Sequence, residues 1–328
     1  MPNQMRYIAY DSQQPGSDLQ IQHMAVPAVG NEQLLLRVTA FALNRADLLQ
    51  RQGKYPPPPG DSEVLGLEVS GEVISVGADV SNWQVGDAVC GLVAGGGYAE
   101  YALIDAKQAI AVPSGMEIVT AAGLAEVFLT AYQSLFSIAD LKPKERVLIH
   151  AGASGVGLAA IQLAKLVGCD VACTASSADK LAQCKEYGAQ LLINYKEQDF
   201  AIQLKQLKWQ ANVIVDVVAG DYIAGNLNVA SLDARIIYLA MLGGRVGQID
   251  MAKMLAKRIT MVGSTLRNRS VEYKRALVKS FCQSMVAHFT TGELVVPVDS
   301  ILPVNSINEA HQRMQSNQTQ GKVIITWD

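Results

Sequence analysis

The feature that most constrains the fold is a glycine-rich turn, IHAGASGVGL, at residues 149–158. It follows the apolar run RVLI at 146–149 and leads into AAIQLAK, a stretch of small and apolar residues typical of a helix. The three glycines allow a tight turn, close approach of a phosphate to the backbone, and a helix N-terminus whose free N–H groups favour anionic oxygens. The turn therefore predicts dinucleotide binding, with a plain helix-packing turn as the alternative.

The sequence on either side of residue 120 has two different patterns. Between about 5 and 115, short β-branched runs are broken by Gly, Pro and Asn, which indicates a mainly β unit. Beyond 120, predicted helices alternate with strands, which favours a parallel, doubly wound sheet with helices on both faces. We expect helices near 119–138, 155–168, 178–187, 197–207 and 222–231, and strands near 146–150, 170–174, 191–194, 212–218, 235–240 and 259–263.

The chain after about residue 266 is too short to fold alone, so we expect it to complete the N-terminal β domain. It should contain a long helix, a strand at 294–298, a short helix and a strand at 322–327. We therefore predict an α/β protein with a discontinuous β domain (1–122 and 266–328) and a nucleotide-binding domain (123–265).

Composition excludes several classes of partner. Of 328 residues, 50% are hydrophobic and 17% charged, with a net charge of −3 and no block of like charges, so no nucleic acid is expected as a partner. The N-terminus lacks a signal pattern, and the longest apolar region, 119–139, is interrupted by Glu126. We therefore expect a cytoplasmic protein without a membrane span. Five scattered cysteines without a Cys-x-x-Cys pair indicate reduced thiols.

The strand after the glycine turn indicates which dinucleotide binds. An NAD site usually has an acidic residue at the end of this strand, about 20 residues on, that bonds the ribose 2′-hydroxyl. Here the strand ends in Ser176 and Ser177, with Lys180 three residues further. Two hydroxyls and a cation suit a 2′-phosphate, which predicts NADPH. The alternative is that Ser177 caps a helix and Lys180 lies in solvent, and both can hold together.

Residues 44–56 (NRADLLQRQGKYP) and 65–71 (LGLEVSG) resemble the medium-chain dehydrogenase/reductase superfamily. The resemblance implies a GroES-like catalytic domain before a Rossmann domain. The zinc alcohol dehydrogenases of that superfamily carry a Cys and a His as metal ligands where this chain has Asn44 and Leu67. Zinc needs about three N, S or O protein ligands. We therefore predict that no metal is bound.

The chain most resembles the zinc-independent quinone oxidoreductase group, relatives of zeta-crystallin, and within it the tumour-suppressor-induced subgroup. The motifs ALNRADL at 42–48, PPPG at 57–60 and LIHAG at 148–152 carry this resemblance. It implies three sets of cofactor contacts: the adenosine and pyrophosphate end, the nicotinamide amide, and the nicotinamide ribose phosphate. Together with Tyr55 and the residues already discussed, the candidates are Thr130, Ala153, Ser154, Gly155, Val156, Gly157, Ser176, Ser177, Lys180, Tyr195, Ala240, Met241, Leu242, Ser264, Thr265 and Leu266.

Without a metal, the substrate must be activated already or polarised by hydrogen-bond donors. We predict Tyr55 and Asn44 as catalytic donors in an NADPH-dependent reductase of quinones and other conjugated carbonyls. Tyr55 could instead pack or stack, and Asn44 could be a turn residue or a cofactor ligand. The alternatives for function are an enal or enoyl-thioester reductase that uses Tyr55, and a non-enzymatic NADPH-binding protein of the crystallin or RNA-binding type. The resemblance also implies a homodimer or homotetramer.

Overall fold

The computed structural model describes residues 2–11, 13–14 and 16–327. The chain divides into two compact units, which we call the β unit (1–129 and 267–328) and the parallel-sheet unit (130–266). These limits differ by a few residues from the predicted ones, because residues 123–129 are tied to the β unit. The ring of Phe128 packs edge-on against Phe289 at 4.8 Å between centroids.

The N-terminal part of the β unit consists of short strands with little helix. Its elements are β1 (Gln4–Ala9), β2 (Gln20–Ala25), β3 (Gln33–Ala42), α1 (Arg45–Arg51), β4 (Glu68–Val76), β5 (Ala88–Leu92), β6 (Tyr101–Asp105), β7 (Ala109–Ala111), α2 (Ile118–Ala121) and α3 (Ala125–Tyr132). β1 and β2 form an antiparallel pair of their own. A π-helical turn, Gln133–Ile138, continues α3.

The parallel-sheet unit alternates strand and helix, as the sequence pattern predicts. Its elements are β8 (Arg146–Ile149), α4 (Gly155–Leu166), β9 (Asp170–Ala175), α5 (Ala178–Tyr187), β10 (Leu191–Asn194), α6 (Phe200–Gln206), β11 (Ala211–Asp216), α7 (Tyr222–Val229), β12 (Ala230–Tyr238), α8 (Met251–Lys257) and β13 (Thr260–Gly263). The six strands lie in the order β10-β9-β8-β11-β12-β13. This is the Rossmann order, in which the direction of winding reverses between β8 and β11.

The C-terminal segment completes the β unit. Its elements are α9 (Val271–Thr290), β14 (Val298–Pro303), a 3₁₀ turn (Val304–Ser306), α10 (Ile307–Gln315) and β15 (Lys322–Thr326). β15 pairs antiparallel with β3, and the sheet runs β14-β15-β3-β4-β5-β7, with β6 also paired to β3. The predicted fold class, a Rossmann sheet plus a β-rich GroES-like domain, is confirmed.

Several helices and strands differ in position from those that the sequence predicted. The predicted helix 119–138 is interrupted at Gly123, where an added Cβ would lie 3.2 Å from side-chain atoms of Val296 and Lys322. The predicted strand 294–298 is wrong, because β14 begins only after Pro297, which has no N–H to give to a sheet. Helix α8 was missed, and β12 begins at Ala230, where the sequence predicted helix. No described helix is both long and apolar enough to cross a bilayer.

Candidate functional site

The glycine turn lies where a Rossmann sheet binds a dinucleotide, after β8 at the reversal of strand order. Ser154 is the N-cap of α4, and its Oγ accepts the backbone N–H of Gly157 at 3.0 Å. A Cβ on Gly157 would lie 2.5 Å from the carbonyl oxygens of Ala151 and Gly152. A Cβ on Gly152 would lie 2.9 Å from that of Cys173. The turn therefore needs glycine at both positions, and the first N–H groups of α4 other than that of Gly157 remain for an anion.

A chain of buried hydrogen bonds fixes His150, the residue between β8 and the glycine turn. His150 Nε2 lies 2.8 Å from Asn226 Oδ1, and the Asn226 amide donates to Asp216 at 2.7 Å, so His150 donates through Nε2. Its Nδ1 then accepts from the hydroxyl of Thr174 at 3.1 Å. Burial lowers the pKa of His150, which keeps the ring neutral. His150 is thus a hydrogen-bonded histidine at the end of β8. The chain through Asp216 leaves no local sequence signal, because its members lie up to 76 residues apart.

Several predicted adenosine-end residues lie together at the carboxyl ends of β9 and β10. Tyr195 donates its backbone N–H to Ala175, at the end of β9, and its side chain is 44% exposed. Ser176 comes next in the chain and is half-buried. Ser177 is the N-cap of α5 and accepts from the backbone N–H of Lys180 at 3.4 Å. The capping interpretation of Ser177 is therefore correct, while the contact of Ser176 and Lys180 with a 2′-phosphate stays a prediction.

The nicotinamide-end candidates of the parallel-sheet unit follow β12 and β13. The Leu242 N–H donates to Val217, just beyond β11, at 3.1 Å, and the Ser264 N–H donates to Tyr238 at 2.9 Å. The side-chain hydroxyls of Thr130 and Ser264 are buried and have no hydrogen-bond partner among the described residues. A buried hydroxyl without a partner is costly, and a polar ligand would satisfy it. These two orphaned groups, with the glycine cradle, fit a dinucleotide.

The remaining candidates also lie at the edge of the parallel sheet where its strands end. Ala153, Gly155 and Val156 lie in the glycine turn or in the first turn of α4. Ala240 and Met241 follow β12, and Thr265 and Leu266 follow Ser264. Their individual contacts with a cofactor stay predictions. What the fold adds is that all of them stand at the carboxyl ends of parallel strands, the usual ligand edge of such a sheet.

In the β unit, Asn44 belongs to a buried network around Lys322, the first residue of β15. The Lys322 ammonium donates to the Leu43 carbonyl at 2.6 Å, to Asn44 Oδ1 at 2.7 Å and to Glu68 Oε1 at 2.7 Å. Lys322 is 3% exposed and Glu68 fully buried. An ion pair this deep persists only when its other hydrogen-bonding capacity is satisfied, and here all three ammonium hydrogens have acceptors. No local sequence signal points to Lys322, which is 278 residues from Asn44 in the chain.

The network also engages the side chain of Asn44. Its amide nitrogen donates to Glu68 Oε1 at 3.1 Å and to the Ala42 carbonyl at 3.2 Å. Both amide hydrogens therefore point into the protein, and neither is left for a substrate oxygen. The catalytic role predicted for Asn44 stays a prediction, and this geometry favours a positioning role. Leu67, at the other zinc-ligand position, is buried and apolar.

A second buried chain holds the loop that carries Asn44. The Asp47 carboxylate accepts the Asn44 N–H at 2.7 Å and the Tyr98 hydroxyl at 3.0 Å. His311 lies 3.1 Å from that hydroxyl, and Arg51 donates to the other ring nitrogen of His311 at 3.0 Å. The pKa of Asp47 is raised to about 6 by burial, against its hydrogen bonds, and that of His311 is lowered to about 3 by burial and Arg51.

Two further contacts belong to this region. His311 joins Arg51 to Tyr98. Arg45 donates to Asn317 at 2.6 Å. No local sequence signal reports these contacts, because α10 is far from α1 in the chain and meets it only in the tertiary structure.

Tyr55 lies in the loop after α1, held by Arg267. The Arg267 guanidinium carbon is 5.5 Å from the Tyr55 ring centroid, a cation–π distance. The same guanidinium donates to the Ala94 carbonyl at 2.8 and 3.0 Å. Burial, and then the charge of Glu126, raise the pKa of Tyr55, so its phenol stays protonated at neutral pH and able to donate. Its hydroxyl has no hydrogen bond among the described residues, and its predicted donor role stays a prediction.

Two family models match the chain. The one described as alcohol dehydrogenase GroES-like domain matches residues 30–114, and the one described as zinc-binding dehydrogenase matches residues 155–281. Quinone oxidoreductase-like protein 2 homolog of Nematostella vectensis is 32% identical over 301 residues, which cover 90% of this chain and 82% of that protein. The human synaptic vesicle membrane protein VAT-1 homolog is 30% identical over 322 residues, covering 94% and 82%.

The chain belongs to the zinc-independent, quinone oxidoreductase-like family of medium-chain dehydrogenases/reductases. The resemblance found in its motifs is thereby confirmed at the level of the family, and the chain is an NAD(P)-dependent oxidoreductase of that superfamily. Despite the name of the second family model, no group of three or more His, Cys, Asp or Glu side chains within the described residues is arranged to hold a metal ion.

Solved structures agree with this assignment. The apo JamJ enoyl reductase is 25% identical with a TM-score of 0.88, covering 99% of each chain. Mycobacterial Rv1454c, whose structure is a complex with NADPH, is 26% identical with a TM-score of 0.87, covering 98% of this chain and 99% of that one.

Proposed function

We propose that this protein uses NADPH to reduce quinones, and other conjugated carbonyls, without a metal ion. The main support is the network around Lys322. At the first of the two zinc-ligand positions, Asn44 is bonded to an ammonium, and at the second Leu67 is apolar. A dication would therefore meet a positive charge instead of a thiolate or imidazole. Without a Lewis acid, quinones and enals are suitable acceptors because charge moves to a distant oxygen as they are reduced.

The residues at the carboxyl edge of the parallel sheet would hold the cofactor. Ser154 to Gly157 would bind the pyrophosphate, Ser176, Lys180 and Tyr195 the adenosine end, and Thr130 and Ser264 would offer their unpaired hydroxyls. Bound NADPH would supply a hydride from C4 of the nicotinamide, which is the cofactor's own chemistry. The NADPH complex of mycobacterial Rv1454c supports the choice of cofactor.

Lys180 tests the preference for the phosphorylated cofactor. We expect Lys180→Ala to weaken NADPH binding by about 10- to 100-fold, because a charge-assisted hydrogen bond contributes roughly 1.5–3 kcal/mol. NADH, which lacks the 2′-phosphate, should bind as before. Calorimetric titration of both cofactors measures this. Lys185→Ala, on the exposed last turn of the same helix, is the matched control. Equal loss of both cofactors, or of neither, would count against the assignment.

Tyr55 is the residue that we propose as donor to the substrate oxygen. Replacing it with phenylalanine should lower kcat/KM on the order of a hundredfold, the usual cost of one such donor, with little change in NADPH affinity. Stopped-flow measurement of NADPH oxidation, beside a fluorescence titration of NADPH, separates the two effects. If Tyr55→Phe keeps full kcat/KM on every active substrate, the residue only packs or stacks.

A second candidate function is reduction of enals or enoyl thioesters, favoured by the likeness to the JamJ enoyl reductase. Rates with 9,10-phenanthrenequinone, 1,2-naphthoquinone, trans-2-hexenal and crotonyl-CoA would separate it from quinone reduction. Activity on the quinones alone supports the first proposal, and activity on the enal or thioester alone supports the second. Binding of NADPH without turnover of any acceptor would favour a non-enzymatic role.

We also propose that the protein is a cytoplasmic homodimer or homotetramer. What supports an assembly is that β13 ends the parallel sheet, so its outer edge is available to a second copy. Light scattering of the purified protein would test the oligomeric state.

A further inference from the structure

We infer that Glu126 is a catalytic residue whose carboxylic acid supplies the proton that completes reduction of the acceptor. This inference rests on the proposed function and extends it. Tyr55 would hold the acceptor oxygen by a hydrogen bond, and Glu126 would deliver the proton. No sequence motif indicates this role, because Glu126 stands out in the sequence only as a charge within an apolar region.

The position of Glu126 places it in the Lys322 network. It lies in the first turn of α3, and its backbone N–H donates to Glu68 Oε2 at 2.9 Å. The other oxygen of Glu68 is held by Lys322 and Asn44. Glu68 is thus fully buried and bonded at both oxygens, which leaves it a structural partner of the lysine. The carboxyl of Glu126 is only partly buried and has no hydrogen bond among the described residues, so of the two acids it is the one whose proton is not engaged by the protein.

Charge balance explains why Glu126 holds a proton. The single positive charge of Lys322 is already matched by Glu68, so a second carboxylate beside them would be unbalanced. Burial, and then the charge of Glu68, raise the pKa of Glu126 to about 7. The charged or titratable groups of the β unit that act on it are Glu68, Asp47, Lys322, Arg267 and Tyr55. A carboxylic acid with a pKa near the working pH is suited to general acid catalysis.

The proposed step is balanced in atoms and electrons. Hydride adds to an electrophilic carbon of the conjugated acceptor, the π bond opens, and its electron pair moves to the carbonyl oxygen. The O–H bond of Glu126 then breaks and its proton binds that oxygen. The product is the enol of an enal or, for a quinone, the keto tautomer of the hydroquinone, which becomes the hydroquinone when its C–H proton passes to solvent and the remaining carbonyl oxygen takes one up. The acceptor has gained one hydride and one proton, and is reduced by two electrons at the expense of the nicotinamide. The carboxylate left on Glu126 regains a proton from water.

Glu126→Gln tests this role, because it keeps the size of the side chain and removes the acid. We expect kcat/KM to fall by about 100-fold or more at pH 6, within the range for a positioned general acid, while the NADPH Kd changes less than about twofold. In the wild type, kcat/KM should decline above about pH 7 as the acid ionises, and the variant should lack that inflection. Glu126→Asp, which keeps an acid on a shorter stem, should recover part of the rate. Glu117→Gln, an exposed N-cap of α2, is the matched control.

A titration without cofactor or substrate gives an independent readout. The infrared carboxyl band that is present in the wild type and absent from Glu126→Gln should titrate with a midpoint near pH 7. If the variant keeps the wild-type rate and pH profile, or if the band titrates near pH 4.5, Glu126 is not the proton donor. If the wild type reduces neither quinone nor enal, the proposed function fails, and the role of Glu126 with it.

Discussion

Lys322→Met is expected to lower the free energy of unfolding by about 3–5 kcal/mol, the usual loss when one partner of a buried ion pair is removed. Methionine fills a similar volume but leaves the Glu68 carboxylate uncompensated, and Leu43 and Asn44 each lose the donor to an oxygen. Denaturant unfolding, followed separately for each unit where the transition is not two-state, measures the loss.

A double variant and a surface control make this prediction specific. Adding Glu68→Gln to Lys322→Met removes the unpaired charge, and we expect it to recover about half of the lost stability or more. Lys107→Met breaks an ion pair with Glu32 in the same unit, but there the two side chains are 61% and 48% exposed. It should cost less than about 1 kcal/mol. Equal losses in the buried and exposed variants, or no recovery in the double variant, would contradict the structural role of Lys322.

Gly157→Ala is expected to weaken NADPH binding by roughly 100- to 10,000-fold. The added Cβ would lie 2.5 Å from two backbone carbonyl oxygens, so the turn and the first residues of α4 must separate. That movement would remove two or so backbone contacts to phosphate, at roughly 1.5–3 kcal/mol each. Isothermal calorimetry with NADPH measures the effect, and circular dichroism at rising temperature checks that the unit remains folded.

The matched control for this variant is Gly263→Ala. Gly263 ends β13 with no heavy atom within 4 Å of an added Cβ and without a positive φ. It should bind NADPH with nearly the wild-type affinity. If Gly157→Ala also binds normally, the glycine turn packs the helix without holding the cofactor, which is the alternative that the sequence left open.

The sequence correctly predicted those structural features that depend on residues close together in the chain. The alternation of apolar runs with helical stretches predicted the parallel sheet, and the glycine spacing predicted the turn between β8 and α4. Ser177 as a helix cap follows from the residue itself. Where the chain departs from these patterns, as at Gly123 and Pro297, single residues broke or delayed an element that the surrounding pattern favoured.

The candidate site depended more on distant residues. Tyr55 and Asn44 were identified by motif, but the sequence did not show that the Asn44 amide is turned toward Glu68 and Lys322. Nor did it show that His311 lies beside Tyr98, 213 residues away. These contacts follow from the pairing of β15 with β3, which brings the C-terminal strand to the start of the loop after β3.

By itself, the sequence determined that the protein has a β unit and a parallel-sheet unit, and that it has a glycine turn suited to a dinucleotide. It also determined that Asn44 and Leu67 stand at two positions where zinc enzymes have metal ligands. Each of these features depends only on a short run of residues. Only the tertiary structure decided how those positions are filled. It brought the ammonium of Lys322 to Glu68 and left the carboxyl of Glu126 beside a pair whose charges already cancel. Protonation depends on distance, burial and neighbouring charge, and these are set only when strands far apart in the chain meet in one sheet.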